Sequence, residues 1–307
     1  MAKDTFVIVG FGSQAKAWAL NLKDSKRDFF IALNPDSKSY DKVHAMGMKT
    51  ISLASESLKN FKHFIMLIPD DQHKKFFETN LSFLAKGSHF VYAHGYSLTR
   101  HDFNNLYSQF DHSLLAPKAI ASEVRFQYET KGKIGAVIYT EMEANYPFLY
   151  DLAKDVGFTA LYENHFRDET IADLFSEQAL LCSILPYASL KSFNMLVENG
   201  ISEELAFMEC FLELKSISAA LVNLGPEEFF KLISPNALMG SEKGRELILN
   251  HHFDNALEKI LDDIKHNQFY REVEKDYHPT RDMVINRWKH ERLNRTYKKL
   301  KKELIDQ

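Results

Sequence analysis

Two pairs of carboxylates carry the clearest chemistry in this sequence. Asp173 and Glu177 stand four apart in "IADLFSEQALLC" (171–182), and Glu209 and Glu213 four apart in "FMECFLELKSI" (207–217). On a helix, residues four apart share a face, one turn up. The residues continuing the first face, Leu180, Leu181 and Ile184, are apolar, so both pairs are expected to point into a core. Burying a carboxylate costs several kcal/mol unless a cation compensates. Four converging carboxylates suit hard divalent cations, Mg²⁺ above all, and a pair of metals roughly 3.5–4 Å apart would fit them. An acid at the margin of an apolar stripe, facing water or a lysine, accounts for one pair taken alone. Two pairs on consecutive helices are harder to account for in that way.

A second candidate is "GFGSQA" (10–15), which follows a strand-like run and opens a predicted helix. The pattern is G-x-G-x-x-A. Gly10 permits a tight turn, Gly12 lets a pyrophosphate approach the backbone, and Ala15 lets helix pack closely on strand. The helix start, with Ser13 and Gln14, offers unpaired N–H groups to an anion. A ligand-free tight turn is the competing reading. The loop after the second strand, "ALNPDSKSY" (32–40), bears on NAD against NADP. Ser37, Lys38 and Ser39 suit a 2′-phosphate, whereas Asp36 repels one and accepts from a free ribose hydroxyl. Ordinary turn chemistry explains the same cluster.

The elements that must hold these residues divide the chain in two. "FVIVG" (6–10), "FFIAL" (29–33), "FIMLI" (64–68) and "FVYAH" (90–94) are expected to be buried parallel strands, with "LLAP" (114–117) and "AVIYT" (136–140) continuing the sheet. The segments between them are long enough for crossover helices. The expected fold class is α/β: a doubly wound parallel sheet over 1–166, then an all-helical domain over 167–307. In the second half Gly200 and Gly225 are expected helix stops and Ser202 an N-cap; Pro186 should kink or split the first long helix.

Bulk composition narrows the class. The chain has 307 residues, 45% hydrophobic, with a formal net charge of −4. That balance makes nucleic acid an unexpected partner. The basic C-terminal run "RWKHERLNRTYKKLKKELIDQ" is expected to be a solvated helix end. Two cysteines, Cys182 and Cys210, are too few for a disulfide framework. No leader is expected at "MAKDTFVIVG", and no stretch is expected to approach the ~20 apolar residues of a membrane span. The expected location is cytoplasmic.

Taken together, "GFGSQAKAWALNLKDS" (10–25), "IPDD" (68–71), "AHGY" (93–96), "APK" (116–118), "ETIADLFSEQALLC" (169–182) and "ECFLELK" (209–215) occur in an order that resembles the ketol-acid reductoisomerases, in their short-chain form, over most of the chain. The resemblance implies a Rossmann domain followed by a knotted helical domain that forms a homodimer. It implies Mg²⁺-assisted alkyl migration of 2-acetolactate or 2-aceto-2-hydroxybutyrate, then reduction by NADPH or NADH to a 2,3-dihydroxy acid, in branched-chain amino-acid synthesis. Asp173, Glu177, Glu209 and Glu213 would hold two Mg²⁺, the last two coming from the partner chain and counting among the catalytic groups. His94 and Lys118 would be catalytic; Cys182 and Ser234 would lie near the substrate or metal-bound waters. Gly10, Gly12, Ser13, Gln14, Asn34, Asp36, Ser37, Ser39 and Asp70 would form the cofactor site.

The match has gaps. The family's G-P-G-H after "APK" is "AIAS" (119–122) here, and its S-D-T-A-E-Y-G is "SPNALMG" (234–240). Its usual arginine after the second strand is Asn34, and the glycine that follows is Asp36. Its glycine after the first motif's glutamine is Ala15. These changes leave open a 2-keto-acid reductase of altered specificity, or a nucleotide-binding dimer without turnover. The intact carboxylate set favours the reductoisomerase. Asn34 and Asp36 lean the cofactor reading towards tolerance of NADH.

Overall fold

The structure is a computed structural model that describes residues 5–305. The first residues of the N-terminal stretch and the last two of the basic run lie outside the described residues.

Eight strands form one sheet in the order β3-β2-β1-β4-β5-β6-β7-β8. They are β1 (Phe6–Val9), β2 (Phe29–Leu33), β3 (Lys49–Ser52), β4 (His63–Met66), β5 (His89–Tyr92), β6 (Asp111–Pro117), β7 (Gly135–Thr140) and β8 (Ala160–Glu163). Strands β1 to β6 pair in parallel, β7 runs antiparallel to β6, and β8 is parallel to β7. The 3-2-1-4-5-6 order is that of a dinucleotide-binding sheet, with its switch point between β1 and β4. The central strands β1, β4 and β5 are buried at every position, which matches their unbroken apolar runs. Both sheet edges escape the sequence reading. "KTIS" and "ALYE" are short and partly exposed, so they carry no apolar run to mark them.

Two cores flank the sheet. One packs the helix Ser13–Asp24 and the helix Tyr146–Val156 through Trp18, Leu22, Leu149 and Leu152; the other is aromatic, built on Phe64, Phe77, Phe90 and Phe103.

The chain divides into two compact units, one up to Ala172 and one from Asp173 on. The second unit is helical. Its small core joins Leu190, Phe193, Ala206 and Phe207 to Leu293 and Leu300 of the last helix, Arg292–Leu304. The basic run is therefore half core, and on its other faces Lys299 pairs with Glu204 and Thr296 donates to Glu203. Ser202 caps its helix by accepting from the Leu205 N–H, and Gly200 and Gly225 follow helices with positive φ, as expected. The first long helix breaks at Ser183, ahead of Pro186, which sits in the first turn of Ile184–Glu198, where a missing N–H costs little.

One expectation about membranes is corrected. The run Phe166–Glu198 is long and apolar enough by composition to cross a membrane, and little of its apolar window is buried.

Candidate active site

The sheet order gathers the candidate residues. The loops holding Gly10–Gln14, Asn34–Ser39, Asp70, His94 and Lys118 leave the carboxyl ends of β1, β2, β4, β5 and β6. Those five strands are parallel, so all five loops open at one edge of the sheet.

At the glycine loop, Gly10 has φ +91°, and a Cβ there would meet Ile68 Cγ2 at 2.5 Å. Gly12 is different. It is the N-cap of Ser13–Asp24 with extended backbone, and a Cβ there would meet nothing within 4 Å. The first glycine is required by the fold; the second leaves space over the helix N-terminus, where an anion fits. The Gln14 Nε2–H donates to Ala119 O at 3.1 Å, and Gln14 Oε1 is buried with no hydrogen-bond partner among the described residues. A bound molecule's N–H or O–H would satisfy it.

After β2 the backbone turns through Ser37 N–H to Asn34 O (2.9 Å), and Ser39 N–H donates to Ser37 Oγ (3.3 Å). Asn34 and Asp36 are exposed. Asp70 is half-buried, its Oδ1 3.7 Å from Nδ1 of buried His73. Burial holds His73 below its ordinary pKa. Its Nε2 lies 3.1 Å from Ile68 O and its Nδ1 2.7 Å from Ser97 Oγ. The neutral ring thus donates to the carbonyl and ties the Asp70 loop to the next helix.

At β5 and β6 one residue organises the site, and sequence reasoning did not single it out. Glu169, on the helix Phe166–Ser176, has a fully buried side chain. Its Oε1 lies 2.6 Å from Lys118 Nζ, and its Oε2 accepts from the Gly95 N–H at 2.8 Å. A Cβ on Gly95 would meet Phe166 O at 2.4 Å and Glu169 Oε2 at 3.0 Å, so the close approach requires glycine. His94 and Glu169 each offer a ligand atom within 4.8 Å of the other. His94 Nδ1 accepts from the Tyr96 N–H at 3.2 Å, which leaves the neutral ring's proton on Nε2. The signal for Glu169 was present: it stands four residues before Asp173, extending the spacing to Glu169, Asp173 and Glu177.

The carboxylate pairs need a correction. Asp173 is half-buried, and Glu177, Glu209 and Glu213 are exposed. They do not point into a core within one chain. The apolar residues beside them, Leu180, Leu181 and Met208, are exposed too, so each shared face is a surface of the chain. The two motifs are also not plain α-helix. Residues Glu177–Leu181 and Met208–Leu212 form π-helical turns, closed by Cys182 N–H to Glu177 O (2.9 Å) and Glu213 N–H to Met208 O (3.0 Å). Such wide turns are frequent at functional sites. Glu209 and Glu213 line an open groove of about 490 Å³ with Met208, Leu212, Ser216 and Leu304.

Cys182 is exposed, and its thiol is pushed up by burial of the sulfur and then by the Glu177 and Asp173 carboxylates, so it is a neutral group at pH 7. Ser234 caps the helix Pro235–Ile248 by accepting from Ala237 N–H at 3.2 Å, and its own hydroxyl proton stays available to donate. Pro235 then occupies the first helical position, where proline is well suited.

With this geometry in place, comparison with known proteins decides the family. Residues 1–158 match the acetohydroxy acid isomeroreductase NADPH-binding domain, and residues 166–307 match the ketol-acid reductoisomerase C-terminal domain. The chain belongs to the ketol-acid reductoisomerase family. It is an NAD(P)-dependent oxidoreductase with that family's activity. An NADH-preferring ketol-acid reductoisomerase from an uncultured archean is similar in structure, with TM-score 0.87 and 22% identity over 99% of this chain and 95% of that one. More distant likenesses are a semialdehyde dehydrogenase NAD-binding protein from Cupriavidus necator (TM-score 0.64, 14% identity, 86% and 99% covered) and a pyrroline carboxylate reductase from Plasmodium falciparum (0.58, 14%, 87% and 98%). These likenesses show the fold alone. The family confirms the Rossmann reading and the helical second half.

Proposed function

We propose that this reductoisomerase works as a homodimer, holds Mg²⁺ on Asp173 and Glu177 of one chain with Glu209 and Glu213 of the other, and accepts NADH. The observation that carries the reading is the exposure of Glu177, Glu209 and Glu213 on apolar faces that a single chain leaves open. The helix Leu214–Leu224 buries none of its residues, although Ile217, Leu221, Val222 and Leu224 are apolar. A second copy would cover it. Carboxylate oxygens are the donors that Mg²⁺ takes.

When bound, Mg²⁺ polarises the keto acid's oxygens and the nicotinamide supplies hydride. This chain's residues do the rest. Gly12 and the start of Ser13–Asp24 receive the pyrophosphate, while Gln14 Oε1 accepts from the cofactor. Glu169 holds the Lys118 ammonium at the sheet edge, where its positive charge stabilises oxyanion character in the substrate. His94 donates from Nε2. Cys182 and Ser234 contribute a neutral thiol and a hydroxyl to the substrate's surroundings.

Exposed Asn34 and Asp36 offer no cation to a 2′-phosphate and one acceptor to a free ribose hydroxyl, which favours NADH. The test is oxidation of NADH and of NADPH with Mg²⁺ and 2-acetolactate, beside the pre-isomerised 3-hydroxy-2-keto acid. Turnover of both substrates with kcat/KM for NADH at least equal to that for NADPH is expected. Turnover of the pre-isomerised acid alone would leave a reductase of altered specificity.

A further inference from the structure

We propose that Gln14 is a positioning residue for Lys118, tying the cofactor loop to the Lys118–Glu169 pair through the Ala119 carbonyl. The inference rests on the reading of Lys118 given above.

The Gln14 side chain reaches from the start of Ser13–Asp24 to Ala119, the residue after Lys118. A carbonyl cannot donate, so the amide must present its N–H there and turn its oxygen the other way. That tie is the first rung of a ladder between two helices. Asn21 Nδ2–H donates to Val124 O (3.3 Å) and Val156 O (2.8 Å). Arg125 Nη1–H donates to Asn21 Oδ1 (2.8 Å) and Asp24 Oδ2 (2.7 Å). Ser25 Oγ meets Tyr128 OH at 2.8 Å. The glycine-loop helix and the helix Ala121–Thr130 are therefore laced along their length. Gln14 lies at the end nearest the active edge, and its rung is the one that holds the Lys118–Ile120 turn.

On its other side, Lys118 is held by its own N–H to Gly135 O (2.9 Å) and by Nζ to Glu169. The turn is "AIAS", without the two glycines and the proline of the family pattern, and Ile120 projects into solvent. A cofactor that satisfies Gln14 Oε1 would tighten the same amide whose other end fixes Ala119. Occupancy of the cofactor loop and placement of the Lys118 ammonium are thereby coupled through one side chain.

The test compares wild type with Gln14→Met, which keeps size and loses the amide, and Gln14→Asn, which keeps the amide but is too short to reach Ala119. Three quantities are measured: modification of Lys118 by an amine reagent in cofactor-free protein, read by mass spectrometry; NADH affinity by fluorescence; and kcat on 2-acetolactate. Both variants are expected to label Lys118 at least three-fold faster and to lose at least ten-fold in kcat, and NADH affinity is expected to fall in Gln14→Met, which removes the Oε1 acceptor. Unchanged Lys118 labelling in both variants overturns the proposal, whatever the activity does. Wild-type protein that turns over no 2-acetolactate refutes the functional reading and leaves the labelling result standing by itself.

Discussion

Glu169 binds Lys118 with one carboxylate oxygen and the Gly95 backbone with the other, at 2.6 and 2.8 Å. The carboxylate is fully buried and the ammonium partly exposed, so the pair has a dry anion and a cation facing the edge where substrate binds. Breaking such a pair from one side leaves an uncompensated charge. Glu169→Gln should fold, keep NADH binding and lose about 100-fold or more in kcat, an effect of about 3 kcal/mol on the transition state. Lys118→Met should in addition destabilise the protein by about 3 kcal/mol, because the anion stays buried. Urea unfolding of both variants checks the contrast; equal stabilities would remove the ion pair's structural role.

The two loop glycines should behave oppositely. Gly10→Ala places a Cβ against Ile68 at positive φ, and should cost about 1–3 kcal/mol of stability. Gly12→Ala meets open space and ordinary backbone angles, so stability should change by less than about 0.5 kcal/mol. NADH affinity should nevertheless fall at least ten-fold, because the methyl stands where the pyrophosphate approaches. Unaltered affinity in Gly12→Ala would move the cofactor away from this loop.

Removing divalent cation with EDTA should abolish turnover of 2-acetolactate while NADH still quenches or shifts fluorescence. Asp173→Asn and Glu209→Gln should each do the same with Mg²⁺ present. Mixed dimers of these two variants offer a sharper check. If Glu209 acts from the partner chain, each heterodimer regains one intact site, so random mixing should restore about a quarter of wild-type activity. No recovery on co-expression would place the four carboxylates in one chain.

The apolar face of Leu214–Leu224 should hold the dimer. Leu221→Asp puts a charge on a face that buries nothing within the chain, so the monomer should keep its fold. Light scattering should then report half the mass, with activity lost. A variant that remains dimeric would show that this helix is not the interface.

Stability should fall in acid through the histidines at the amino-terminal ends of the strands. His63 and His89 meet Nδ1 to Nδ1 at 2.9 Å, so one ring must be a neutral acceptor. His89 is held well below its ordinary pKa, chiefly by burial and then by His63, and His112 is lowered to about 4, chiefly by burial. His112 sits between Tyr92 OH (3.0 Å) and Tyr107 O (3.3 Å). The folded pKa values are depressed, so between pH 6.5 and about 4 the unfolded chain binds more protons. The stabilisation is complete above 6.5 and is lost as pH falls through that window; for His112 the effect is about 3 kcal/mol. Urea midpoints between pH 7.5 and 5 should fall in wild type and fall less steeply in His112→Gln.

The sequence by itself determined the sheet's centre and the glycine-loop turn. Strands β1, β2, β4 and β5 are runs of apolar residues that only a buried sheet accommodates, and the glycine spacing at 10–15 fits a turn whose geometry admits few alternatives. The two carboxylate pairs were legible from their spacing, whereas His94 and Lys118 came into view only through the family resemblance of the motifs that carry them.

What only the tertiary structure decided depends on packing between distant segments. The edge strands β3 and β8 have no apolar run because edges are half-solvated. Glu169 is chemically ordinary in the sequence; its role arises because Phe166–Ser176 carries it against Gly95 and Lys118, residues 74 and 51 positions away. The inward-facing reading of Glu177, Glu209 and Glu213 failed for a related reason. Helical spacing tells which residues share a face, and it does not tell whether that face meets the chain's own core or the surface of another copy.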